Sequence, residues 1–261
     1  MRYKLLQLNI ISYISLIIVN FLAVQIPFYG KTPGDVSDLY PNLLTPSNFA
    51  FKIWILVYLL LAVFVFSDIK ILVEKSKKQP EEVTTTGYLF LISCILNFLW
   101  LIAWQSMHIF WSFAIIFALW IILIVIYYRL HQIDNARYTN KLPISLYLAW
   151  VCVATLANMN VLLIDIDFSF FNLTEEVWTA TLIGIGIGGT LLVLFLSKDI
   201  LFAIVLIWAY YGMYHKNIVL YPDGNEVSFM SVAAMVIIFI SILITSGIKW
   251  RHRAHKQIDE G

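Results

Sequence analysis

Eight long apolar runs, separated by shorter polar segments, dominate the chain and predict an all-α protein. They cover residues 5–28, 49–73, 87–107, 110–130, 142–163, 177–196, 200–214 and 229–250. A helix needs about 20 residues to cross a hydrocarbon core about 30 Å thick, and every run except 200–214 approaches that length. The pattern therefore predicts a polytopic membrane helix bundle with eight spans.

Three of these runs place aromatic and amide residues on a shared helical face. In the fifth run, Trp150, Ala154 and Asn158 recur every four residues and so lie on one side of a helix. An amide in hydrocarbon costs free energy unless it is hydrogen-bonded, so these faces are expected to point inward. The candidate ligand-binding residues on the three faces are Phe51, Trp54, Tyr58, Asn97, Trp100, Trp150, Ala154 and Asn158.

Aromatic stripes at helical spacing usually reflect packing alone, and that interpretation stays open here. Two features favour a ligand site. Trp100 and Trp150 fall well inside their runs, whereas tryptophan in membrane helices prefers the interfaces. The amides on the same faces are expected to serve as polar anchor points among flat rings. Such a lining suits a flat, largely apolar ligand with a few polar groups.

Composition agrees with a membrane protein. Apolar residues make up 61% of the 261 positions and charged residues only 13%, about half the share in soluble domains. The formal net charge of +1 argues against a nucleic-acid partner. Both cysteines, Cys94 and Cys152, fall in apolar runs, and buried free thiols are the expected state.

The distribution of basic residues predicts the orientation of the spans. With the N-terminus in the cytoplasm, 14 of the 17 Lys and Arg residues lie on the cytoplasmic side. Only Lys31, Lys52 and Lys216 lie outside. This asymmetry follows the positive-inside rule and predicts cytoplasmic N- and C-termini, with a basic C-terminal tail. A cell-membrane location is the expectation.

Two further motifs have simple interpretations. Gly184, Gly186 and Gly189 match the spacing of a dinucleotide-binding loop, but they lie within an apolar span, where no strand precedes them. Gly184 and Gly188 form G-x-x-x-G, which predicts close helix packing. Asn172 begins a glycosylation sequon on the predicted outer side.

Three segments together resemble the translocator-protein family, whose bacterial members are tryptophan-rich sensory proteins (TspO/MBR). The segments are P-S-N-F-A-F-K-I-W-I-L-V-Y at 46–58, L-N-F-L-W at 96–100 and W-V-C-V-A-T-L-A-N at 150–158. Their order and helical placement match the family, and the resemblance covers about residues 5–166. It implies a TspO-like bundle of five helices in residues 1–168. The remaining residues, 169–261, would then form three additional transmembrane helices and the basic tail.

The resemblance also implies a function. Family members bind tetrapyrroles such as protoporphyrin or haem, and sterol-like ligands, in a cavity of the five-helix bundle under the first loop. Some are reported to degrade protoporphyrin in light, with tryptophans that correspond to Trp54 and Trp150. No cofactor is implied as a requirement, and a tetrapyrrole would be the ligand.

Four hypotheses follow from the residues and the resemblance. The first is a membrane sensor or receptor that binds a flat apolar ligand. The others are a transporter of such a ligand, a light-dependent porphyrin-degrading enzyme, and a structural protein with a packed interior. The expected partners are the ligand and membrane lipid, with a homodimer as an open alternative.

Overall fold

The structure, a computed structural model, describes residues 2–73, 81–133, 137–167 and 174–259. All regular secondary structure in those residues is helical, which confirms the predicted all-α fold. The helices are α1 (Arg2–Gln25), α2 (Pro33–Asp38), α3 (Ile53–Val73), α4 (Glu81–Thr86), α5 (Leu89–Gln105), α6 (Ile109–His131), α7 (Tyr138–Asp165), α8 (Glu175–Ser197), α9 (Ile200–Leu220) and α10 (Glu226–Asp259). A 3-10 turn, Asn48–Lys52, leads into α3.

Six of the described helices are long and apolar enough to cross a membrane: α1, α3, α6, α7, α8 and α10. The other two predicted spans are also helices, but their lengths differ from the prediction. The apolar helix α5 has 17 residues, because it ends at Gln105 and a turn through Met107 follows. In contrast, α9 has 21 residues, because the helix continues past Tyr214 to Leu220 and includes a helical turn of polar residues.

Five of the eight helices that correspond to the predicted spans form a closed ring. Going round it, α1 packs on α3, α3 on α7, α7 on α6, α6 on α5, and α5 returns to α1. The turn between α5 and α6 is as short as the sequence predicts, and the His108 N–H donates to the Ala103 carbonyl at 2.9 Å. The helix α7 is the most enclosed, since 67% of its most apolar stretch is buried.

The helices α8, α9 and α10 pack on one another and against the side of the ring. The helices α8 and α9 both contact α7, and α9 also contacts the 3-10 turn before α3. A two-residue turn joins α8 to α9. In it, Lys198 adopts a left-handed conformation and the Asp199 side chain accepts from the Phe202 N–H at 3.1 Å, which caps α9.

The prediction that Gly184 and Gly188 mediate close helix packing is wrong. A Cβ atom added at either position would meet no neighbouring atom within 4 Å among the described residues. The close approach is at Gly186, where an added Cβ would collide with the Tyr210 hydroxyl of α9. That hydroxyl donates to the Ile183 carbonyl at 3.0 Å, so a small residue at Gly186 lets α9 bond to the backbone of α8.

Several sequence predictions concern parts of the chain outside the described residues. Asn172 of the sequon lies in the interval 168–173. The basic side chains at 75–78 and in the C-terminal tail from 249 onward are also outside the description. The predicted orientation in the membrane and the domain boundaries at 168 and 169 stay predictions.

Candidate ligand-binding site

Trp54 of α3 is at the centre of an aromatic cluster that the three predicted faces form. Its ring stacks on Tyr58, with centroids 5.4 Å apart, and lies 6.2 Å from Trp100 at an angle of 30°. Trp150 stands edge-on to Trp54 at 6.5 Å, and Phe51 stands edge-on to Trp150 at 5.9 Å. Stacked and edge-to-face pairs each contribute about 0.5–1.5 kcal/mol beyond burial, so the rings fix one another's orientation.

A chain of hydrogen bonds lies beside this cluster and joins four helices of the ring. The Tyr58 hydroxyl donates to Asn20 Oδ1 at 2.7 Å, and Asn20 Nδ2 donates to Asn97 Oδ1 at 3.0 Å. Asn97 Nδ2 then donates to the Tyr147 hydroxyl at 3.2 Å. The bonds run from α3 to α1, from α1 to α5, and from α5 to α7.

A second hydrogen-bonded group centres on Asn158. Its Oδ1 accepts from Trp100 Nε1 at 3.3 Å and from the Ser112 hydroxyl at 2.7 Å, while its Nδ2 donates to the Ala154 carbonyl at 2.9 Å. The amides of Asn97 and Asn158 are thus engaged in bonds within the protein, and their role as anchor points for a ligand stays a prediction. Buried amides are stable in an apolar interior only when bonded, and here other helices supply most of their partners.

A cavity of about 450 Å³ lies among these rings. Seven of the eight candidate residues line it, and the eighth, Asn97, is fully buried in the hydrogen-bonded chain beside it. The volume falls within the range of about 300–1,000 Å³ that small-molecule sites occupy. The other lining residues are Asn20, Val24, Thr32, Pro33, Gly34, Ser37, Thr45, Asn48, Lys52, Ile55, Leu101, Trp104, Ala157 and Val161.

The loop between α1 and α3 covers one end of the cavity. Its helix α2 begins with a capping box, in which Asp35 N–H donates to the Thr32 hydroxyl and Thr32 N–H donates to the Asp35 carboxylate. The bond from the Thr32 backbone holds the pKa of Asp35 below its usual value. From α5, Trp104 Nε1 donates to the Pro33 carbonyl and Gln105 Nε2 to the Lys31 carbonyl, at 2.9 and 2.8 Å.

The helix α9 holds the second half of the same loop. The Ser47 N–H donates to the Gly212 carbonyl at 3.0 Å, and Trp208 Nε1 donates to the Ala50 carbonyl at 3.0 Å. Asn217 Nδ2 reaches the Leu43 carbonyl at 2.9 Å. The loop segment that these bonds fix includes Thr45 and Asn48, which line the cavity. The helix α9 thus positions part of the cavity wall.

Carboxylates add two further bonds to the loop. The Tyr40 hydroxyl donates to Asp165 Oδ1 at 2.9 Å, and the Leu43 N–H donates to Glu175 Oε1 at 3.0 Å. Partial burial, with the bond to Asp165 as a second cause, raises the pKa of Tyr40 to about 12. The phenol therefore stays a hydrogen-bond donor throughout the physiological pH range.

The cavity, its aromatic walls and its position inside a ring of membrane helices define a polytopic membrane protein with an internal site of small-molecule size. The chain belongs to the TSPO-like protein family, whose model matches residues 6–244. This match includes α8, α9 and most of α10. The family match therefore extends beyond the five-helix ring into the last three helices. Neither the curated proteins nor the solved structures give a significant match.

Proposed function

We propose that this protein is a receptor-type membrane protein that binds a flat, largely apolar ligand, such as a tetrapyrrole or a sterol-like molecule, in the cavity of the five-helix ring. The observation that carries the proposal is the cavity itself, about 450 Å³ in volume and walled by Trp54, Trp100 and Trp150. A flat ring system gains dispersion and hydrophobic free energy from such walls without needing a polar partner for each surface.

The rigidity of the walls supports the proposal. The ring contacts around Trp54 and the hydrogen bonds of Asn97 and Asn158 fix the lining side chains before any ligand arrives. A preorganised site loses little conformational entropy on binding, so more of the contact free energy remains as affinity. Membership of the TSPO-like family agrees with such a site.

A fluorescence titration of the purified protein with protoporphyrin IX tests the proposal. Saturable quenching of tryptophan emission is the expected result, because four tryptophans line the cavity. Trp54→Phe and Trp150→Phe should each weaken the apparent affinity about three- to tenfold, since each removes one large contact surface.

Trp111→Phe supplies the matched control. Trp111 lies on α6 with 61% of its surface exposed and is not a lining residue, so its replacement should leave the affinity unchanged. Quenching that never saturates would refute binding in this cavity. An apparent affinity that falls equally in Trp54→Phe, Trp150→Phe and Trp111→Phe would refute it as well. A second titration adds a sterol to the porphyrin complex. Displacement of the porphyrin by the sterol would show that one site accepts both classes of ligand.

A further inference from the structure

The amides deep in the cavity wall have protein partners, whereas the buried Trp150 Nε1 has none among the described residues. Asn20 uses both ends of its amide, accepting from Tyr58 and donating to Asn97 and to the Leu16 carbonyl. Asn158 Oδ1 accepts two bonds, one of them from Trp100 Nε1. A ligand that displaced the bonds accepted by Asn20 Oδ1 and Asn158 Oδ1 would break contacts between helices. With the Trp150 indole N–H as a donor left over, this part of the cavity suits a largely apolar ligand body that offers at most an acceptor there.

The other end of the cavity has a different character. Thr32 and Asn48 line it there, together with Lys52 at the last position of the 3-10 turn before α3. Among the described residues that line the cavity, Lys52 carries the only charge. The residue is exposed, and its side chain forms no ion pair within the part of the chain that the structure describes. The polarity of the lining thus increases from the tryptophans toward Lys52.

The cavity reaches the outer surface of the bundle beside Lys52. Two lining residues, Val24 at the end of α1 and Ile55 in the first turn of α3, are 53% and 62% exposed. They belong to neighbouring helices of the ring, and both side chains are apolar. A ligand that dissolves in the membrane could enter between them with its apolar part first and its polar end beside Lys52.

We infer that the ligand is an amphipathic acid, bound with its apolar body against the tryptophans and its carboxylate paired with Lys52. The inference rests on the proposed function and narrows its ligand class, because a neutral sterol leaves the ammonium without a counter-ion. A lysine holds its charge while its stem lies along apolar surface, so it can reach a carboxylate at the mouth of a membrane cavity.

Protoporphyrin IX and its dimethyl ester provide the test, because the ester keeps the flat ring and lacks both carboxylates. Both are titrated against the wild-type protein, Lys52→Met, Lys52→Arg and Lys31→Met. For each ligand, the affinity of the wild-type protein is divided by that of the variant, and the two ratios are compared. The acid and the ester partition differently into detergent, but this difference cancels within each ratio. Lys31 is the matched control, since it lies in the same loop but does not line the cavity.

We expect Lys52→Met to weaken binding of the acid about fivefold, the upper end for a partly exposed ion pair, and to leave the ester unaffected. Lys52→Arg should retain most of the acid affinity, and Lys31→Met should match the wild type. Equal effects of Lys52→Met on acid and ester, or none on either, would overturn the inference while the proposed function stands. Failure of both ligands to bind the wild-type protein would overturn both.

Discussion

At the scale of single residues, the amides decide how the interior is built. Asn97 is fully buried, and both ends of its amide are hydrogen-bonded to other helices. Its spacing relative to Trp100 indicates an inward face, and the structure agrees. The partners could not be predicted, because Asn20 and Tyr147 lie 77 and 50 residues away in the sequence. An isolated amide within the first apolar run was the available signal for Asn20.

Replacing this amide should destabilise the bundle more than it affects the cavity surface. Asn97→Leu keeps the approximate shape but leaves the Asn20 amide and the Tyr147 hydroxyl each short of one partner. We expect a loss of about 1–2 kcal/mol, within the range for interhelical hydrogen bonds in membranes. Thermal unfolding in detergent measures it. Asn48→Ala, at an exposed position, should keep the wild-type Tm, and an equal Tm for Asn97→Leu would contradict the structural role.

At the scale of elements, the contact between α9 and the first loop is the feature that the sequence did not predict. The hydrophobic pattern places α9 correctly as a helix, since periodicity is a local property. The contact with the loop depends on pairs such as Ala50 with Trp208 and Leu43 with Asn217, which are 158 and 174 residues apart. Local spacing contains no information about such pairs. The faces on α3, α5 and α7 could be predicted because each needs only the helical repeat.

Gly212 allows this contact, and a single methyl group tests it. A Cβ atom at Gly212 would lie 2.8 Å from side-chain carbons of Pro46 and Ala50, closer than real Cβ contacts allow. Gly212→Ala should therefore push the loop away from α9, even though alanine favours the helix by about 1 kcal/mol. We expect faster limited proteolysis within the loop at 39–48.

Gly188→Ala is the matched control for that experiment. It lies in α8, and an added Cβ atom would meet nothing within 4 Å. In the Gly188→Ala variant, the loop at 39–48 should be cleaved at the wild-type rate. If Gly212→Ala is also cleaved at that rate, α9 does not hold the loop as the structure indicates.

At the scale of the whole molecule, the orientation in the membrane determines whether the end of the cavity under the first loop faces the outside or the cytoplasm. The positive-inside rule predicts that the first loop lies outside and that the turn between α8 and α9 lies in the cytoplasm. In intact cells, a membrane-impermeant maleimide should label Asp38→Cys, whereas Lys198→Cys should react only after permeabilisation. Both positions are exposed. The opposite labelling pattern would reverse the orientation.

Binding of the ligand in the cavity is tested most directly by a substitution that fills the cavity. Ala154 lines it, and Ala154→Leu adds three carbon atoms beside Trp150. Ala233→Leu makes the same change at an exposed position on α10. In a protoporphyrin IX titration, we expect Ala154→Leu to lose saturable quenching while keeping its Tm, and Ala233→Leu to bind like the wild type. Wild-type affinity in a folded Ala154→Leu protein would contradict the account.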